Sequence, residues 1–197
     1  DVLVIGSGPA GLTAARTAAE AGQVVWLVED AAALGGALRW RGGMIESTPW
    51  EKFAAQTAAA VEAAGGKVLT STTLWGAFDH GTFAARQRGA RDTHWRICAR
   101  RCILAAGGIE RPLWFANNDR PGVMSAEAAL HNLVLCGAVP GRNILLATRS
   151  DASRPVAEAL REAGARVTVI DSRPDAPELE GIALRKGAQV TAAHGLR

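Results

Sequence analysis

The strongest constraint on this chain lies in its first eleven residues. An apolar run, Val2-Leu3-Val4-Ile5, leads straight into Gly6-Ser7-Gly8-Pro9-Ala10-Gly11. Four consecutive apolar residues suit a central parallel strand buried on both faces. Glycines spaced G-x-G-x-x-G, after such a strand and opening a helix, form a dinucleotide-binding signature. Gly6 allows the tight turn, Gly8 lets backbone approach a diphosphate with no Cβ between them, and Gly11 lets the helix pack closely on the sheet. Pro9 fits the first helical turn, where its missing N–H leaves no helix bond unmade. The loop N–H groups and the positive helix end then favour a diphosphate.

The pattern continues as a βαβ unit. A helix from Pro9 to Ala21 is closed by Gly22, and Val24 to Val28 reads as the second strand. Glu29 ends that strand, 18 positions after Gly11, where a carboxylate accepts hydrogen bonds from a ribose diol. Its charge disfavours a 2′-phosphate, so NADP is not expected, and Asp30 beside it adds to the repulsion. Gly35-Gly36 would let the chain pass close to the diphosphate. Gly107-Gly108 follows a predicted buried parallel strand, Cys102 to Ala106, and offers a second close approach. Ligands collect at the C-terminal ends of parallel strands, so the two glycine sites are expected to face one cleft.

Between them, Pro49 to Ala64 reads as a helix. Lys67 to Phe78, Thr82 to Arg88 and Thr93 to Ala99 alternate as strands of an antiparallel element. Residues 109–124 are irregular, with Pro121-Gly122 fitting a type II turn and Trp114 and Phe115 available as anchors. Ser125 reads as the N-cap of a helix to Cys136. A second βαβ unit follows: a strand over Asn143 to Ala147, a helix over Pro155 to Ala163, a strand over Arg166 to Ile170 closed by Asp171. A final helix is expected over Pro177 to Lys186, with a short strand near Val190. Where the second unit should carry a glycine loop it has Thr148-Arg149-Ser150-Asp151-Ala152-Ser153-Arg154. Side chains there block close backbone approach and Asp151 repels a diphosphate. Arg149 and Arg154 offset this only in part, so the second unit is expected to have lost dinucleotide binding. The fold class is α/β: a Rossmann-like FAD/NAD(P)-binding domain with a parallel sheet and an antiparallel element over residues 1–124, a connecting helix and linker over 125–141, and an incomplete second Rossmann-like domain over 142–197.

Composition narrows the function further. The 22 Lys and Arg against 19 Asp and Glu give a net charge of +3, but the basic residues are scattered, so no nucleic-acid partner is expected. No apolar run reaches the roughly 20 residues that span a bilayer, and the first residues read as core strand rather than signal peptide. Cys98, Cys102 and Cys136 form no C-x-x-C pair and read as buried apolar residues in a reducing, cytoplasmic compartment. The four histidines have no metal-ligand spacing, so no metal site is expected. No nucleophile–base pair stands out, and none is required where a flavin or nicotinamide carries the reactive atoms.

Several blocks taken together resemble one family. They are Gly6 to Gly11, Glu29-Asp30, Gly35-Gly36, Ile103 to Gly108, and the stretch from Glu110-Arg111-Pro112-Leu113 to Asn118-Asp119-Arg120-Pro121-Gly122-Val123-Met124. The last is the discriminating one. They look like the α subunit of heterotetrameric sarcosine oxidase, with opine oxidase, hydrogen cyanide synthase and hydroxyproline dehydrogenase large subunits similar but less close. The resemblance implies a two-dinucleotide-binding-domain flavoprotein fold, the second domain inserted into the first, with FAD or NAD at the first. Gly6, Gly8, Pro9, Ala10, Gly11, Glu29, Asp30, Gly35, Gly36 and Ala37 would line the adenosine and diphosphate. Leu74 or Trp75 would lie against the adenine, and Ala106 and Gly107 would complete the cleft. Amine oxidation would belong to a partner β-type flavoprotein subunit in a hetero-oligomer, acting on a small amine or amino acid. Ala31 and Ala37 depart from the polar or basic residues usual at those places. The resemblance also makes this chain stop inside the second domain, short of the returning segment that completes the first. The expected function is the dinucleotide-binding part of an amine or amino-acid oxidoreductase subunit. The alternative is a non-catalytic structural subunit that keeps a nucleotide and docks a catalytic partner.

Overall fold

A computed structural model describes residues 1–195. The chain divides into two compact units, the first Asp1–Gly108 and the second from Ile109 onward. The irregular stretch 109–124 thus clusters with the second unit.

The first unit comprises β1 (Val2–Ile5), α1 (Pro9–Glu20), β2 (Val25–Val28), α2 (Leu38–Arg41), β3 (Met44–Ile45), β4 (Thr48–Pro49), α3 (Trp50–Ala63), β5 (Lys67–Leu69), β6 (Thr72–Phe78), β7 (Thr82–Gln87), β8 (Thr93–Cys98) and β9 (Arg101–Leu104). A parallel sheet runs in the order β5-β2-β1-β9, and β6-β7-β8 form an antiparallel sheet. Successive residues of a strand face opposite ways, and β1 uses both faces. Val2 and Val4 pack on one side with Leu12, Ala15 and Ala19 of α1 and Phe53 and Val61 of α3. Leu3 packs on the other with Phe83, Ala85 and Ile97 of the antiparallel sheet. The continuous apolar run is explained by these two layers. The predicted strand over Lys67 to Phe78 is two strands, because the chain leaves the parallel sheet at Thr70-Ser71 to enter the antiparallel one. There the Ser71 N–H bonds the Ala31 carbonyl at 2.8 Å.

Two expectations are corrected here. β9 pairs with β1 in parallel register, but it lies at the sheet edge and is exposed, Leu104 at 75%. Apolarity marked it as a sheet strand without saying which place in the sheet it takes. The three cysteines are free and exposed rather than buried, and Cys98 and Cys102 lie on strands of different sheets.

The second unit comprises α4 (Ala126–Cys136), β10 (Asn143–Thr148), α5 (Arg154–Glu162), β11 (Arg166–Asp171) and β12 (Ala183–Lys186), with a parallel sheet in the order β10-β11-β12. Ser125 caps α4, its Oγ accepting from the Ala128 N–H at 3.2 Å. Pro121-Gly122 form the type II turn: Gly122 has φ +90° and the Val123 N–H bonds the Arg120 carbonyl at 3.0 Å. Trp114 is 91% exposed and does not anchor its segment, whereas Phe115 is half-buried. The helix expected over Pro177 to Lys186 is absent. Gly181 turns the chain at φ +68°, and Ala183 to Lys186 instead pair with β11. Cross-strand pairing outweighed a weak helical pattern next to a glycine. Among the described residues no helix is long and apolar enough to cross a membrane.

Candidate functional site

The site grows out of the ends of β1 and β2. The Gly6 N–H bonds the Val28 carbonyl at 2.8 Å, carrying the pairing of the two strands one step past Ile5. Gly6 then turns at φ +94°, with its Cα so close to the end of β9 that a Cβ would lie 2.4 Å from the Ala105 carbonyl oxygen. A Cβ on Gly11 would sit 1.9 Å from the Gly6 carbonyl oxygen, so α1 packs directly on the loop. Gly8 is different: nothing lies within 4 Å of its Cβ position, so that side of the loop is open. Gly8 also supplies no side-chain cap to α1, and Pro9 has no N–H. The remaining N–H groups of the first turn have no helix carbonyl to bond, and an anion at this end meets donors and a positive dipole.

Glu29 follows β2 and is 9% exposed. Its Oε2 accepts from the Ser7 N–H at 2.9 Å and from the Ser7 hydroxyl, and its Oε1 accepts from the Ala31 N–H at 2.8 Å. A carboxylate offers about four acceptor positions. Those bonds fill all but one, which leaves Oε1 able to take a hydroxyl. The Ser7 hydroxyl in turn accepts from the Gly35 N–H at 3.1 Å. Ser7 is fully buried, and it ties the glycine loop, Glu29 and the Gly35-Gly36 turn into one piece. The sequence reading missed Ser7. The available signal was a hydroxyl among glycines and apolar residues, which needs partners when buried. Gly36 completes the enclosure, since a Cβ there would come within 2.9 Å of the Gly8 Cα. Ala37 stands next in the chain at the start of α2.

The other expected residues separate into two groups. Ala106 adjoins the loop, its Cα 3.1 Å from where a Gly6 Cβ would be, and Gly107 beside it has no neighbour within 4 Å of its Cβ position. Asp30 points elsewhere. Its exposed carboxylate accepts from the Thr73 hydroxyl and, at 3.0 Å, from Arg88 Nη1. The Thr73 hydrogen bond first, then Arg88, hold it below the usual carboxylate range. Leu74 and Trp75 are neighbours in β6 with different surroundings. Leu74 packs on the core with Leu3 and Phe83, while Trp75 is 63% exposed, its ring edge-on to Phe78 at 6.1 Å. Among the described residues no group of histidine, cysteine or carboxylate side chains is placed to hold a metal.

A parallel sheet backed by helices on one face and an antiparallel sheet on the other, with an open glycine loop and a buried acid after the second strand, defines the Rossmann-like α/β fold of FAD/NAD(P)-dependent oxidoreductases. Residues 1–64 match the family model described as FAD binding domain. The chain is 37% identical to the sarcosine oxidase subunit alpha of Corynebacterium sp. (strain P-1), over 96% of this chain and 21% of that protein. It is 38% identical to the subunit of the same name from Rhizobium meliloti (strain 1021), over 89% of this chain and 19% of that protein. Among solved structures, the L-proline dehydrogenase of P. horikoshii is similar with a TM-score of 0.68 and 30% identity, over 87% of this chain and 35% of that one. The chain is similar to the sarcosine oxidase α subunits, and it spans about one fifth of their length.

Proposed function

We propose that this chain is the dinucleotide-binding part of an amine or amino-acid oxidoreductase subunit, holding FAD or NAD at Gly6 to Gly11. The observation that carries this reading is the pairing of the open face of Gly8 with the one unfilled acceptor of Glu29. The residues fit the group. The first turn of α1 would bind the diphosphate, the Glu29 carboxylate would accept from the adenosine ribose, and Gly36 would keep the wall beside the diphosphate free of side chains. The same carboxylate disfavours a 2′-phosphate. When bound, the flavin or nicotinamide supplies the hydride acceptor. This chain's own part is to bind and orient the cofactor, and the amine would be oxidised with a flavoprotein partner subunit in a hetero-oligomer. Denaturing the purified intact protein and analysing the released small molecules by mass spectrometry tests the reading. FAD or NAD in a fixed ratio to the chain is expected, and release of no adenine dinucleotide overturns it.

A further inference from the structure

The segment β10-α5-β11 of the second unit repeats β1-α1-β2 of the first with no gap. Residue n of the first βαβ unit corresponds to residue n + 142 of the second. The register Ile5↔Val28 with the Gly6–Val28 bond, set beside Thr148↔Asp171, superposes Gly6 on Thr148 and Glu29 on Asp171. The same offset places Gly22 on Gly164, and both have positive φ at the ends of their helices. It also sets Ser150 on Gly8, Asp151 on Pro9 and Ser153 on Gly11. All three loop glycines have therefore become hydroxyl residues.

Those hydroxyls bond to one another and to the loop. Ser153 Oγ donates to Thr148 Oγ1 at 2.7 Å, and the Ser150 N–H, counterpart of the Gly8 N–H, donates to the same oxygen at 3.1 Å. The residues that correspond to the start of α1 are wound here into a 3₁₀ turn, Asp151–Ser153, before α5 begins. The acid end is closed as well. In both units the residue two beyond the acid donates its N–H to the carboxylate, Ala31 at 2.8 Å and Arg173 at 2.9 Å. In the second unit that residue also folds its guanidinium onto the acid. Arg173 Nε donates to Asp171 Oδ1 at 3.1 Å and Nη2 to Oδ2 at 2.8 Å, while Nη2 also reaches Asp151 Oδ1 at 2.7 Å. Asp171 is 3% exposed, and all three of these bonds come from Arg173, two of them from the guanidinium laid across the carboxylate, where those on Glu29 come from Ser7 and the Ala31 N–H. Residues that would meet a dinucleotide meet each other.

We infer that the second unit is a duplicated dinucleotide fold closed by its own side chains. Arg173 stands where a ribose would bind the acid, and Thr148, Ser150 and Ser153 fill the place of the diphosphate. The unit takes no nicotinamide dinucleotide, and residues 1–195 hold one such cofactor, not two. The proposed function enters only in taking Gly6 to Gly11 as the occupied site.

Hydrogen–deuterium exchange on the intact protein, with millimolar NAD, NADH, NADPH or ADP as probes, separates the two questions by peptide. Peptides covering residues 143–160 and 166–175 are expected to exchange unchanged with every probe, and slowing in both with NADH or NADPH overturns the inference. Slowing over residues 1–15 and 25–37 bears on the first unit alone, so failure there counts against the proposed function and leaves this one standing. Arg173→Gln is expected to speed exchange over 143–160 about tenfold through easier local opening. Arg173→Lys, which keeps the charge but loses the planar fork, is expected to fall between. Wild-type exchange in both variants overturns the closing role of Arg173.

Discussion

Gly8 and Gly11 belong to one motif but are glycines for different reasons, and the difference is measurable. Gly11 has the Gly6 carbonyl where a Cβ would go, so Gly11→Ala is overpacked and is expected to lose about 3 kcal/mol of stability in denaturant titration. Gly8 has φ −67° and empty space at its Cβ position. Gly8→Ala is therefore expected to unfold within about 0.5 kcal/mol of the parent. It should weaken dinucleotide binding about tenfold or more by calorimetry, which corresponds to about 1.4 kcal/mol. Equal destabilisation by the two changes would show that Gly8 is structural. The motif was legible in sequence, and so was Glu29, because spacing alone fixes which strand ends they occupy. The orientation of Asp30 was not. Its neighbours Thr73 and Arg88 come from 43 and 58 residues away, and no local pattern records them.

At the scale of elements, caps and turns were legible because their chemistry is local. The N-cap hydroxyl of Ser125 reaches the Ala128 N–H three residues on, whereas the Glu110 carboxylate, which accepts the Glu127 N–H at 2.8 Å from 17 residues away, was not legible. Ser125→Ala is expected to cost the second unit about 1 kcal/mol, read as a shift in its denaturation midpoint. An unchanged midpoint would mean that Glu110 caps α4 without help. Elements whose identity depends on remote pairing were not legible. β12 sits beside β11 only because β11 offers an unpaired edge, and the break between β5 and β6 exists because two sheets compete for one chain segment.

For the molecule as a whole, acid sensitivity can be traced to named carboxylates and ligand sensitivity to the glycine loop. The Asp171 carboxyl is held below the usual carboxylate range, first by the side-chain hydrogen bonds of Arg173 and then by its N–H. A group whose folded pKa is depressed adds stability that is complete above its unfolded pKa, about 3.9, and is lost as pH falls through the lower folded value. The second unit is expected to keep its melting temperature from neutrality down to about pH 5 and to lose it below about pH 4. In Asp171→Asn that acid loss should flatten, and an unchanged pH profile in this variant would remove Asp171 from the account. A dinucleotide bound at Gly6 to Gly11 would act on the other unit. A dinucleotide at 100 times its Kd adds about 2.7 kcal/mol to the state that binds it, so only the first unit should melt higher when it is present.

The sequence by itself determined the βαβ frame, the glycine loop, the acid at Glu29 and the loss of glycines at Thr148 to Arg154. Each of these is a short-range pattern imposed by backbone geometry and strand period. Tertiary structure decided what those residues do. Burial turned Ser7 into the tie between the loop, Glu29 and Gly35, and sheet register showed that Thr148, Ser150 and Ser153 stand on the three glycines of the first unit. Arg173 could be counted in the sequence as a basic residue, but only the fold turned its guanidinium back onto Asp171. Whether a charged side chain meets solvent, a ligand or its own chain depends on which strand ends the sheet brings together.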